Sequence, residues 1–248
     1  TMALGFEYED VHIGSGAGHP YAVVVSAALA MAEKEKATGK ELITAVVAGY
    51  EAMARTAMAS VKASEVLTMR RGIYNVQFFG VFGAAAAAGS ILHLEPETMA
   101  MAFGLAGEHA SGTVQSHAEG AWSRRLHGGT AGEDGVSAAM LAKHGFIGPI
   151  KILEGDYSVY RAHGLDFVPE KLTDGLGKPY QIMDTWIKRY PCCGVFQATI
   201  DLLLDLKLEF NISAYEVKKI TVCFTQMVHY FERTDFPNIT VAQLSMPF

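Results

Sequence analysis

The sequence predicts a mainly α-helical protein: one large all-helical domain over residues 1–185, followed over 186–248 by the start of a smaller α+β unit. Three observations carry this. Apolar residues recur at spacings of three and four through long stretches rich in alanine and glycine, the period of one helix face. Strand-like alternation is almost absent before residue 185. Beyond it, turn formers cluster and one alternating segment follows a last amphipathic stretch.

Pro20 suits the first turn of a helix, where its missing N–H costs nothing, and "YAVVVSAALAMAEKEKA" continues that helix towards Gly39. "KELITAVVAGYEAMARTAMAS", residues 40–60, repeats the pattern with Leu42, Val46, Tyr50 and Met53 on one face. A third helix is expected over roughly 76–93, in the most apolar run of the chain, "FFGVFGAAAAAGSIL". Its 15 residues are too short to span a bilayer comfortably and fit a buried helix. A fourth starts near Pro96, with Glu97 favouring the positive end of the helix dipole. "EDGVSAAMLAKHGF" predicts a fifth, closed by Gly145 in a left-handed conformation. The alanines and glycines on these helices predict close backbone packing. "LDFVPEKLTDGLGKPY" reads as a connection. After "RYPCCG" comes the amphipathic helix "VFQATIDLLLDLKLEF". "VKKITVCFTQM" then sets Ile220, Val222 and Phe224 against Thr221 and Cys223, a strand signal. The final "AQLSMPF" adds no closing element, so the chain reads as a portion of a longer protein.

A net charge of −6, from 20 basic and 26 acidic residues, leaves no basic stripe and argues against a nucleic-acid partner. The basic pairs Arg70-Arg71, Arg124-Arg125 and Lys188-Arg189 suit small anions better than a polymer. Cys192, Cys193 and Cys223 are too few for a disulfide framework and form no CxxC pair, so a reducing compartment is the default. With no charged-then-apolar leader in view, a cytoplasmic protein without a membrane partner is expected.

Four stretches join glycine or proline to titratable groups at the edges of helices, where sites usually form. They are "EYEDVHIGSGAGHPY" (7–21), "RRGIYNVQFFG" (70–80), "EGAWSRRLHGGTAGEDG" (119–135) and "IKRYPCCG" (187–194). The first reads as a flexible loop whose glycines let backbone approach a ligand. Gly14, Gly16 and Gly18 lack a Walker lysine and follow no expected strand, so phosphate-loop and Rossmann readings are weak. His12, His19 and the nearby carboxylates can ligate zinc in principle, but no HExxH is present and the glycines fix no geometry. Cys192 or Cys193 can act as a nucleophile if a histidine meets it, although vicinal cysteines beside proline more often serve turns. No nucleophile elbow anchors a serine triad.

Taken in order, these residues resemble the MmgE/PrpD family across essentially the whole chain. The resemblance lies in "HP" before an alanine-rich helix, "GKELITAVVAGYE", "GAAAAAGSIL", "EGAWSRRLHGG", "GFIGPIKILEGDYS" and "KRYPCCG". The family includes 2-methylcitrate dehydratases, cis-aconitate decarboxylases and iminodisuccinate epimerases. The resemblance implies a helical domain with a smaller α+β lid, a homodimer, and catalysis with neither metal nor organic cofactor. It also implies that the family's first helices and the end of its lid lie outside this sequence. The family's site sits between domain and lid. Its histidine before proline falls on His19, its upstream acidic position on Glu7 and its lysine before "YPCC" on Lys188. Tyr74, in "GIY", stands where the family often has histidine. Arg124, in "RRLHGG", replaces the usual lysine of "KxLHxG", while His127 is retained. Cys193 stands where decarboxylases can carry histidine, and Phe248 where some members have tyrosine.

The chemistry so implied is proton transfer at carbon next to a carboxylate of a small di- or tricarboxylate. The enolate-like anion that results needs preorganised cations or donors. Expected catalytic residues are His19, Lys188 and Tyr74; expected substrate-binding residues are Arg124, His127, Glu7 and Cys193. Arginine clamps a carboxylate with two parallel hydrogen bonds but is a poor acid or base. An imidazole, with an ordinary pKa near ~6.5, is the natural proton carrier. The leading reading is a lyase performing dehydration or decarboxylation. The alternatives are an isomerase using a pair such as His19 and Tyr74, and a non-catalytic homologue that binds anions. The residues at 74, 124 and 193 raise both alternatives. His109, His144 and His163 read as structural, with His117 left open.

Overall fold

Helix α2 (Pro20–Glu35) starts on its proline and ends at Lys36, which takes the left-handed conformation at φ 55°. It follows a short α1 (Met2–Phe6) in a computed structural model that describes residues 2–12, 14–60, 71–223 and 229–248. Helix α3 (Gly39–Met58) opens with a reciprocal cap: Thr38 Oγ1 accepts from the Glu41 N–H, and the Glu41 carboxylate accepts from the Thr38 N–H. Helix α4 (Asn75–Ile91) is apolar around its whole circumference, and every residue but Ser90 is buried. Such a helix has to be central. It packs against α2, α3, α5 (Pro96–Glu108) and α7 (His127–Lys143), with the short α6 (Gln115–Glu119) preceding α7. The protein is mainly α-helical, as expected.

Small residues set the interhelix distances. A Cβ added to Gly49 would lie 2.4 Å from Val24 Cγ1 and 2.8 Å from the Gly83 carbonyl oxygen. One added to Gly135 would lie 2.5 Å from the Val81 carbonyl oxygen. Helices α3 and α7 thus meet α4 backbone to backbone, which larger side chains forbid. Helix α7 begins six residues before the expected stretch from Glu133, at His127. Its glycines argue against a helix by propensity. Packing overrides this, because at Gly128 and Gly135 a Cβ would collide with Leu4 and with the α4 backbone.

Two further expectations are corrected. The opening stretch is not a flexible loop: it contains β1 (Asp10–His12), which pairs antiparallel with β2 (Thr185–Ile187) in the register Asp10↔Ile187, Val11↔Trp186, His12↔Thr185. Glu7, Glu9 and His12 there have 0% exposure. A strand of three residues is too short for alternation to register in sequence. Conversely, residues 217–223 form no strand, and Val217, Ile220 and Val222 are exposed. A strand exists only through its ladder, and these residues have no ladder partner among the described residues. Phe224, the last apolar position of that alternation, lies outside them.

Between α7 and β2 lie the short α8 (Val159–Ala162) and α9 (Glu170–Thr173), and after β2 come α10 (Gln197–Glu209) and α11 (Ile239–Gln243). A second small core of Phe196, Phe231 and Leu244 ties α10 to the C-terminal residues. Among the described residues no helix is long and apolar enough to cross a membrane.

Candidate functional site

Glu7 leaves α1 in the left-handed region, at φ 57°, a conformation costly for a residue with a side chain. The turn sends the carboxylate inward, where it meets two cations. Arg124, on the single-turn 3-10 segment Trp122–Leu126, donates from Nη1 to Glu7 Oε1. Lys188 Nζ donates to Glu7 Oε2 at 2.6 Å and to Glu9 Oε1 at 2.6 Å. Lys188 is placed by the small sheet, since its N–H continues the β1–β2 ladder to the Glu9 carbonyl at 3.2 Å. Arg124, Lys188, Glu7 and Glu9 are all buried.

His19 occupies the position before Pro20 and α2. Its Nδ1 lies 2.6 Å from the Asp10 carbonyl oxygen, so Nδ1 carries the proton, and 3.5 Å from Glu9 Oε1. Asp10 is itself anchored by the Tyr21 N–H at 3.0 Å and the Tyr50 hydroxyl at 2.9 Å. On the far side of Arg124, Nε donates to His117 Nε2 at 3.1 Å. Tyr74, just before α4, stacks obliquely between two imidazoles, 4.7 Å from the His117 ring and 4.8 Å from the His127 ring. His127, at the start of α7, places Nδ1 against Gln77 Oε1.

The electrostatics follow from burial and pairing. Burial alone would raise Glu7, but Arg124 and Lys188 together hold it at about 2. Burial and the neighbouring Glu7 charge push Glu9 up against the pull of Lys188. Asp10 is pushed up to about 6 by burial. Burial lowers Lys188 and Arg124, yet the glutamates outweigh it and keep both cationic. Burial, seconded by Arg124, holds His117 at about 2 and His127 at about 4, so both are neutral imidazoles at neutral pH. Burial pushes Cys193 up to about 12 and raises Cys192 as well. Neither is a ready thiolate, and the nucleophilic-cysteine reading loses its basis.

The histidine shifts predict a pH dependence of stability. His117 is neutral when folded, whereas once unfolded it protonates below its ordinary 6.5. Its contribution is therefore fully present above pH 6.5 and lost as pH falls towards its folded value. Asp10 and Glu9 run the other way, because their raised folded values favour proton uptake by the native state. The effect is best read as a difference between proteins. The advantage of the wild type over His117→Gln, in urea unfolding, should shrink by about 1.4 kcal/mol per pH unit below 6. A constant difference from pH 7 to 5 would contradict a buried neutral imidazole.

The structure brings His19, Lys188, Tyr74, Arg124, His127 and Glu7 into one connected cluster, with Cys193 near enough to feel the charges of Lys188, Glu7 and Arg124. Arg125 and Arg189 stand outside it, over Trp122 and paired with Asp201 respectively. His12 is occupied elsewhere: its ring nitrogens lie 2.8 Å from Ser15 Oγ and 3.0 Å from the Gln181 carbonyl oxygen. Among the described residues no group of three or more histidine, cysteine or acidic side chains is arranged to hold a metal. A separate cavity of about 1050 Å³, lined by Ile200, Leu203, Val217, Ile220 and Met246, does not include the cluster.

Sequence reasoning did not nominate Glu9, Asp10, Tyr50 or Gln77, and left His117 open. Two of these had a signal. Glu9 lies two residues from Glu7 in the same acidic stretch, and Gln77 lies one helical turn from Tyr74. The contact of Tyr50 with Asp10 and that of His117 with Tyr74 join distant segments and had none.

Comparison with known proteins extends these observations. The MmgE/PrpD N-terminal domain matches residues 1–170. A cis-aconitate decarboxylase-like protein of Aspergillus oryzae is 27% identical over 241 residues, which cover 90% of this chain and 49% of that protein. A cis-aconitate decarboxylase of Aspergillus terreus is 26% identical over 213 residues, 81% of this chain and 42% of that protein. Another from the same species, strain NIH 2624, is 26% identical over 216 residues, 82% of this chain and 43% of that protein. The chain thus spans about half the length of the curated relatives it matches, or less.

Proposed function

Because the chain belongs to the MmgE/PrpD family, we propose that it serves a lyase acting on a small di- or tricarboxylate, by proton transfer at carbon next to a carboxylate. The observation that supports this reading best is the convergence of two buried cations, a phenol and several imidazoles on one point between the helices and the segment after β2. Decarboxylation is the form favoured by the names of the relatives.

Arg124 clamps a substrate carboxylate and Lys188 supplies a second cation, both in surroundings where charge is poorly screened. Two glutamates already balance these cations. An arriving carboxylate therefore adds uncompensated charge, and Glu9, already raised, is the group that takes up a proton in response. His19, its Nδ1 committed to the Asp10 carbonyl, presents Nε2 as the proton-carrying atom. The Tyr74 hydroxyl donates to the developing anion, and Cys193 and Glu7 shape the cation pocket. The division at residue 185, a lid formed by the second unit, a homodimer and a cytoplasmic location belong to the same proposal.

A second reading, an isomerase, is favoured by Arg124: an arginine holds substrate without exchanging protons, and proton traffic then falls to imidazole and phenol groups. One experiment separates the two. The protein is incubated in deuterated water with citrate, 2-methylcitrate, cis-aconitate or iminodisuccinate and followed by NMR. A new double bond or a lost carboxylate is the expected result for a lyase. Deuterium gained with inversion and no new product would assign an isomerase instead. Four unchanged substrates would overturn both and leave an anion-binding homologue.

A further inference from the structure

Resting on the carboxylate chemistry above, we propose that His127 is a second proton-transfer residue of the site, with Gln77 and Ser111 as the residues that position it.

The argument begins at Gln77, in the first turn of α4. Its Nε2 donates to Ser111 Oγ at 3.0 Å, and its Oε1 faces His127 Nδ1. A carbonyl oxygen only accepts, so His127 Nδ1 carries the ring proton and Nε2 holds the lone pair. That Nε2 is buried and has no hydrogen-bond partner among the described residues. Leaving a buried acceptor unsatisfied is unfavourable, and such atoms are retained where a ligand completes them.

The surroundings suit a base. Tyr74 lies 4.8 Å from the ring, and burial, seconded by the charge of Arg124, keeps the imidazole neutral. His117, the other neutral imidazole nearby, already spends Nε2 on Arg124. His127 and His19 are built alike: each gives Nδ1–H to a carbonyl oxygen, one from an amide side chain and one from backbone. A substrate carboxylate on Arg124 offsets the charge that depresses His127, so the imidazole becomes more basic when substrate is bound. In the step itself the C–H bond next to the carboxylate breaks and its electron pair delocalises into the clamped carboxylate. The proton forms an N–H bond at His127 Nε2. In dehydration the electron pair then forms the C=C bond as the neighbouring C–O bond breaks, and the departing hydroxide takes the proton from Nε2 to leave as water; in isomerisation the proton returns to carbon.

The test uses ¹⁵N-histidine-labelled protein, with citrate as the probe. The expected spectrum shows His127 as the Nδ1–H tautomer, with an Nε2 resonance that moves on adding citrate. His127→Gln should lower turnover by about 10²–10⁴-fold with citrate still bound. Gln77→Glu sets a carboxylate against Nδ1–H and stabilises the imidazolium, so the acid limb of the pH–rate profile should rise by about 1–3 pH units; a residue with only a structural role would not move it. An Nε2–H tautomer, a His127 signal indifferent to citrate, or wild-type turnover in His127→Gln would each overturn the proposal. Turnover that persists in His127→Gln removes only the role of His127, whereas wild-type protein that transforms none of the four carboxylates removes the lyase reading itself.

Discussion

Replacing Lys188 with methionine should lower the unfolding free energy by about 3–5 kcal/mol, the usual cost of removing one partner from a buried charge cluster. The ammonium is shared, with Nζ 2.6 Å from Glu7 Oε2 and 2.6 Å from Glu9 Oε1. Methionine is similar in length, so packing changes little and the loss is mainly electrostatic. Glu7 keeps Arg124, but Glu9 loses its ammonium partner and is left 3.5 Å from the His19 imidazole, facing a neighbouring carboxylate in a dry interior. The sign of the pH dependence follows. In Lys188→Met both glutamates titrate higher than in the wild type, so the penalty is full at neutral pH and is relieved as pH falls and the folded state takes up a proton. Urea unfolding at pH 7 and at pH 5 measures this. Adding Glu9→Gln to the lysine variant should recover a large part of the loss at pH 7, because it removes the stranded charge. Equal midpoints for wild type and Lys188→Met at pH 7 would show that the cluster is not the buried network described here.

His19→Ala should reduce turnover by about 10²–10⁴-fold while leaving the protein folded, the range for one general acid–base group. The two effects separate because His19 is not what holds its surroundings. Asp10, whose carbonyl it bonds, is fixed independently by the Tyr21 N–H and the Tyr50 hydroxyl. Pro20, not a side-chain cap from His19, starts α2. The variant should therefore unfold in the usual cooperative way and still bind citrate through Arg124 and Lys188. Unchanged turnover would refute a proton-transfer role for His19, whatever else the site does.

How far the sequence reached can be followed through particular elements. Helix α4 was expected over 76–93 and runs over 75–91, because an uninterrupted apolar, alanine-rich stretch has few alternatives. Helix α3 was expected from 40 and starts at Gly39, where Thr38 and Glu41 supply the cap. The start of α7 at His127 is not legible in the sequence, since glycines weigh against a helix until the neighbours that require them are known. The strand over 217–227 failed within its described part for the converse reason: alternation states what a strand would look like and cannot supply the partner. Strand β1 went unseen because three residues carry too little pattern.

The residue types of the site, and most of its members, were legible from their order along the chain: a histidine before a proline, an arginine before a leucine and histidine, a lysine before a pair of cysteines. Those local signals also determined the helical class, since the period of apolar residues is a property of each segment alone. Tertiary structure alone decided what state those side chains are in. Glu7 reads as a site residue by its place in the sequence, but it and Glu9 become the counter-charges of Lys188 only when β2 carries position 188 alongside position 9. Burial and Coulomb interaction depend on distances between segments more than 100 residues apart, and no spacing along a chain encodes those distances.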